Sequence, residues 1–188
     1  MSDPNAAIAA RASASVLLLP GLWNSGPEHW HTYWERAYGF TRLIQRDWET
    51  PARTDWVATI DAAVAGAPGA VVLAGHSLAC TAIAHFSAAT AHAARVRGAL
   101  LVAPSDVEAP SYPAGTTGFA PMPLERLRFP SIVVASSDDE YVSPERARAF
   151  AQAWGSQLIE IGPAGHINSA SRLGLWPEGF ALLAPWLR

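Results

Sequence analysis

Four runs of this chain, SVLLL (15–19), AVVLAG (70–75), GALLVA (98–103) and SIVVA (131–135), are apolar at almost every position. A strand that faces water on one side alternates apolar with polar residues; these do not, so both faces of the sheet they form have to be covered. Helical patterns separate them. In EHWHTYWERAYG, Trp30, Tyr33, Trp34 and Ala37 recur at intervals of three and four, and Gly39 closes the pattern. Thr54 stands where a cap belongs ahead of Trp56, Val57, Ile60 and Val64, a helix that Pro68 and Gly69 end. The stretch from Ser77 to about Ala94 reads as helix through its alanines together with Ile83, Ala84 and Phe86. SPERARAFAQAWG is a helix capped by Ser143 with Pro144 in its first turn, and WPEGFALLAPWL is a last helix. TRLIQRDWE and SQLIEI add two strands. This alternation predicts an α/β fold of about six parallel strands, doubly wound, with helices on both faces.

The 188 residues suffice for one domain with a sizeable core. Residues 1–14 read as a small, polar, flexible tail and residues 15–188 as a single domain, without internal repeats. A proline-rich segment from Pro104 to Pro130 is longer than a plain connector, a length typical of lids. The net charge of −3 and the scattered arginines give no grip on a phosphate backbone, so no nucleic-acid partner is expected. The chain has no lysine, which removes Schiff-base chemistry, the P-loop amine and a Ser-Lys dyad together. Cys80 is the only cysteine, so neither an internal disulfide nor a cysteine zinc site can form. The opening MSDPNAAIAARASA lacks a basic n-region and a continuous apolar h-region, and no apolar run reaches the roughly 20 residues of a membrane span. A cytoplasmic location without membrane attachment is the expectation; the sequence carries no signal of oligomeric state.

Ligands of doubly wound sheets sit beyond the carboxyl ends of the strands. There, GHSLA follows the third strand and opens a helix, the strand-turn-helix context of a nucleophile elbow, with alanine in the last position of G-x-S-x-G where glycine is usual. Small residues at Gly75 and Ala79 let the turn close, lifting the Ser77 hydroxyl above the sheet with the Leu78 N–H beside it. A serine hydroxyl needs a base and the base an orienting acid. His166, in GPAGHIN after the sixth strand, is the candidate base. Asp138 and Asp139, at the tip of the fifth, compete for the acid: one can orient the imidazole while the other accepts amides of the turn, and Val142, able to anchor the loop before Ser143, favours Asp139. The second oxyanion donor is expected in PGLWN after the first strand, from Leu22 N–H or alternatively Trp23 N–H. Trp23, His76, Phe119 and Pro121 are candidates for the substrate pocket, and Trp48 stands near it.

Plainer readings exist for each. Ser77 can be a helix cap and His166 a loop residue, but neither explains the ordered acid and histidine downstream. His29 and His31, two positions apart on a helix, face different ways and make a poor metal pair. His85 and His92 share a helix face without a third ligand, and Cys80 reads as a small core residue. No metal or cofactor is expected.

LLLPGLWNSGPEHW, DWETP, GHSLA, LLVAPSD, VVASSDDEYVS, AGHIN and WPEG together resemble the small single-domain serine hydrolases of the YdeN type, relatives of the retinoblastoma-binding serine hydrolase. The likeness runs from about Val16 to the C-terminus. It implies a compact α/β-hydrolase fold and a triad on Ser77, Asp139 and His166. The expected activity is hydrolysis of a small-molecule carboxylic ester through an acyl-enzyme; the alternative is a hydrolase fold kept as a binding module or interaction scaffold.

Overall fold

The computed structural model describes residues 4–10 and 12–188. Six strands form one parallel sheet: β1 (Ala14–Leu19), β2 (Thr41–Arg42), β3 (Ala70–His76), β4 (Val96–Val102), β5 (Ser131–Ala135) and β6 (Gln157–Glu160), in the order β2-β1-β3-β4-β5-β6. The chain leaves β1 for β2 on one side and returns to place β3 on the other. That reversal opens a crevice at the carboxyl ends of β1 and β3.

Successive residues of a strand point to opposite faces, and each face carries its own core. Leu17, Leu19, Val71, Leu73, Leu101 and Val133 meet α3 (Arg53–Gly66), α4 (Leu78–Ala89) and α5 (Pro144–Trp154) through Trp56, Ile60, Phe86, Phe150 and Trp154. Val16, Leu18, Val72, Ala74, Leu100 and Val134 meet α2 (Trp30–Tyr38) and α6 (Pro177–Leu183) through Trp30, Trp34, Phe180 and Leu183. Burial of each Val, Leu, Ile or Phe side chain among them contributes about 1.5–3 kcal/mol, which is why runs without polar interruption build the sheet's centre. Gly98 of β4 leaves room for the Trp186 ring, which a Cβ there would meet at 2.2 Å.

Local signals and structure part company in four places. The stretch read as a tail carries a helix, α1 (Pro4–Ala10), whose Ile8 and Ala9 rest on the second core; residues 1–3 and 11 lie outside the described residues. Thr54 lies inside α3, whose N-cap is Ala52, because the Arg53 N–H is taken by Thr117 O from a distant loop. TRLIQRDWE pairs only at Thr41 and Arg42 before Asp47 gathers the N–H groups of Glu49 and Thr50 into a turn. Helix α4 stops at Ala89, where Thr90 donates to Asp61 and accepts from His92 N–H, so His85 and His92 do not share a helix face.

The proline-rich segment 104–130 is packed down. Phe119, Met122, Leu127 and Phe129 are buried in the first core, and Phe119 O accepts from His85 Nε2 at 2.8 Å. Asp106 receives two hydrogen bonds from Arg146 of α5, at 2.7 and 3.0 Å.

Candidate active site

Ser77 joins β3 to α4 with φ 58° and ψ −125°, a left-handed backbone that costs a non-glycine residue about 1–3 kcal/mol and persists only where its surroundings enforce it. Here the Ser77 N–H donates to Val102 O and the Cys80 N–H to Ser77 O, both at 3.0 Å. Gly21, at the end of β1, presses on the turn so closely that a Cβ there would stand 2.7 Å from Ser77 Cβ. At the sheet's reversal point a glycine thus packs directly against the serine.

His166 comes from the loop after β6, whose backbone turns through positive φ at Gly162, Gly165 and Ile167. Two buried donors hold that loop: His76 Nε2 bonds His166 O at 2.8 Å, and the Trp30 indole N–H bonds Ile167 O at 3.0 Å. The imidazole so placed lies 2.8 Å from Ser77 Oγ through Nε2 and 2.9 Å from both carboxylate oxygens of Asp139 through Nδ1. The Asp139 side chain is 0% exposed and that of His166 7%. An ionised carboxylate only accepts, so Nδ1 carries the proton, Nε2 presents its lone pair, and the Ser77 hydroxyl donates to it.

Asp138 is engaged elsewhere. Its Oδ1 accepts from Ser136 Oγ and from the N–H groups of Ala164 and Gly165, bracing the histidine loop. These bonds, that of Ser136 foremost, hold its carboxyl below the usual range.

The N–H of Leu78 is the first of α4 and has no intrahelical acceptor. The Leu22 N–H, next to Gly21, is free of any acceptor among the described residues, whereas the Trp23 N–H is committed to Trp48 O at 3.0 Å. Of the two amides weighed in PGLWN, Leu22 is the one left open. Trp48 touches the site through that carbonyl; its ring packs on Trp56.

A cavity of about 350 Å³ opens over Ser77, with Leu22, Trp23, His76, Tyr112, Tyr141 and Asn168 in its wall. Trp23 stands at its rim, 53% exposed. Two pocket expectations fail. Phe119 is core, edge-on to Trp56, and Pro121 is on the surface; neither lines this cavity, because burial of Phe119 pins their loop on the α3 side. Asn168 lines the cavity and also caps the following turn through Ala170 N–H.

Sequence reasoning missed Ser105, Tyr112 and Tyr141. Ser105 is fully buried with its Oγ 3.3 Å from Ser77 Oγ, and the Tyr141 ring lies 4.5 Å from that of His166. The available signal for Ser105 was its place just past the fourth strand.

His29 and His31 do not face apart as helix neighbours: His29 precedes α2 as its cap, its Nδ1 accepting from His31 N–H. With His76 they form a buried imidazole group, His29 and His76 having centroids 4.7 Å apart. Burial, then repulsion from His76, pushes the His29 and His31 pKa values far down, and burial, then repulsion from His166, brings that of His76 to about 3. All three are neutral at physiological pH. Among the described residues, no group of three His, Cys, Asp or Glu side chains has the arrangement of a metal site. Cys80 is buried, and its burial raises the thiol pKa, leaving it inert.

A family model of serine hydrolases matches residues 16–185. Among solved structures, the chain is similar to a YdeN-like hydrolase from Pectobacterium atrosepticum, with 30% identity over 97% of this chain and 94% of that one and a TM-score of 0.81. It is also similar to the ydeN gene product of B. subtilis, at 20% identity, coverage of 93% and 98%, and a TM-score of 0.69. A thermophilic esterase from Thermogutta terrifontis shares the fold at 17% identity, coverage of 94% and 90%, and a TM-score of 0.65. Among curated proteins, no match to the chain was found.

Proposed function

This chain belongs to the serine hydrolase family, within the α/β-hydrolase superfamily, and we propose that it cleaves a small, uncharged carboxylic ester through an acyl-enzyme on Ser77. The observation that carries the reading is the hydrogen-bonded series from Ser77 Oγ through His166 to Asp139, at 2.8 and 2.9 Å, beneath an open cavity. Residues 15–188 act in it as one catalytic domain.

Ser77 Oγ attacks the ester carbonyl as its proton passes to His166 Nε2. Asp139 keeps the other ring nitrogen protonated and stabilises the imidazolium that forms. The negative charge arriving on the carbonyl oxygen is met by the N–H groups of Leu78 and Leu22, donors without another acceptor among the described residues. Collapse expels the alkoxide, which takes the proton from Nε2. Water then repeats the sequence on the acyl-enzyme, with His166 again the base. Among the described residues, the cavity wall contributes aromatic, amide, hydroxyl and neutral imidazole groups and no carboxylate, guanidinium or ammonium. Such a wall favours a neutral substrate.

The test is turnover of p-nitrophenyl esters graded by acyl length. The native protein is expected to release p-nitrophenol from the shorter members, and Ser77→Ala to lose about a thousandfold or more in kcat. Absence of turnover across the series, or activity retained by Ser77→Ala, would refute the proposal and leave the fold as a binding module.

A further inference from the structure

We propose that the Ser105 hydroxyl is a further catalytic group of this site, donating its proton to Ser77 Oγ and stabilising the charge that oxygen carries as it attacks and as it leaves. The inference rests on the nucleophile role given to Ser77 above. Its structural basis is the 3.3 Å separation of the two Oγ atoms and the complete burial of Ser105.

The chain is built to fix Ser105 there. Ala103, at the end of β4, has φ 48° and sends its N–H to Val134 O at 2.8 Å, turning the backbone off the sheet and over the crevice. On the other side, Asp106 N–H bonds Tyr141 O at 2.9 Å, and the Asp106 carboxylate is gripped by the Arg146 guanidinium. Ser105 is therefore clamped between the β4 tip and the loop that carries Asp139.

Proton inventory sets the direction of every bond in the series. Asp139 can only accept, so His166 Nδ1 donates to it, and Nε2 has only a lone pair to offer. Ser77 spends its single proton on Nε2. Toward Ser105, then, Ser77 Oγ can only accept, and Ser105 must be the donor. The Tyr112 phenol is a close neighbour of Ser105. Burial keeps that phenol protonated, its pKa pushed up to about 12. The hydrogen-bonded series runs from Ser105 to Ser77, His166 and Asp139, each member polarising the next.

The chemical consequence concerns the nucleophile's own oxygen and not the carbonyl oxygen. As the Ser77 proton moves to Nε2, electron density accumulates on Oγ ahead of full bonding to the acyl carbon. In deacylation the C–Oγ bond breaks, its electron pair returns to Oγ, and Nε2–H returns the proton. These steps are mirror images, so a donor at Oγ lowers both barriers. At 3.3 Å the bond is long, and the expected effect is about tenfold, below the 10²–10³ of a short oxyanion donor.

The test follows covalent labelling by an alkyl fluorophosphonate, in which the Ser77 Oγ–P bond forms and fluoride departs, alongside kcat and KM on a p-nitrophenyl ester. Ser105→Ala is expected to label about tenfold more slowly and to lose kcat in proportion with KM within about twofold. Labelling of Ser105→Ala at the native rate, or a change confined to KM, would overturn the proposal. Should circular dichroism show Ser105→Ala unfolded, folded Ser105→Cys, whose thiol is a poor donor, decides: slowed labelling supports the proposal, and the native rate refutes it. The probe reads Ser77 whether or not any ester is turned over. Native protein that labels but cleaves no ester would therefore count against the ester reading alone, and Ser77 that takes no label would overturn both.

Discussion

Asp138 and Asp139 leave the tip of β5 as neighbours of the same chemical type, and their surroundings divide the work between them. Asp139 gives both oxygens to His166 Nδ1 and one to Tyr141 N–H, its side chain shielded from solvent behind the imidazole. Asp138 gives one oxygen to the backbone of Ala164 and Gly165 at the surface. Replacing the first by asparagine offers Nδ1 a group that donates as readily as it accepts, and the imidazole then settles in the wrong tautomer. Asp139→Asn is expected to lower kcat on a p-nitrophenyl ester about a thousandfold or more, while Asp138→Asn, which keeps an accepting oxygen for the two amides, lowers it less than about tenfold. A larger loss at Asp138 would move the acid to that residue.

At the scale of elements, what the sequence discloses is whatever short-range physics decides. Helix α5 is legible to the residue: Ser143 accepts from Arg146 N–H, Pro144 fits the first turn, and Gly155 takes the left-handed cap at φ 66°. The same holds for Gly39 after α2, at φ 68°. The strands of the sheet's centre are legible because two covered faces require uninterrupted apolar residues. Elements decided by distant partners are not. Thr54 has a capping side chain, but the start of α3 is set by Thr117 reaching Arg53 N–H, and α4 is cut short by Asp61, from another helix, bonding Thr90. The site divides along the same line. Ser77, His166 and the two aspartates announce themselves at strand ends in a fixed order, whereas Ser105, Phe119 and Pro121 do not, since only the packed loop 104–130 decides which of its residues meets the crevice.

Over the whole molecule, the sheet's reversal beside β1 brings the Gly21 turn against the Ser77 turn, and α2 seals the space behind them with histidines. His29, His31 and His76 are buried and neutral, and one of them holds the carbonyl of His166. Their folded pKa values lie below the unfolded value near 6.5, to about 3 for His76. Below the unfolded value the unfolded chain binds protons that the native one refuses, so this contribution to stability is complete above about pH 6.5 and is lost as the pH falls. Each histidine removes up to about 1.4 kcal/mol per pH unit across its window. The urea midpoint is expected to drop steeply from about pH 6.5 to about pH 4.5, and a flat midpoint there would contradict a neutral buried group.

These scales meet at one oxygen atom, which the fold raises on a strained turn, aligns with an imidazole and leaves open to a cavity. Labelling the native protein with an alkyl fluorophosphonate and mapping the adduct by peptide mass spectrometry tests this most directly. One adduct is expected, on Ser77, absent from Ser77→Ala and nearly absent from His166→Ala. An adduct on any other residue, or undiminished labelling after His166 is removed, would contradict it.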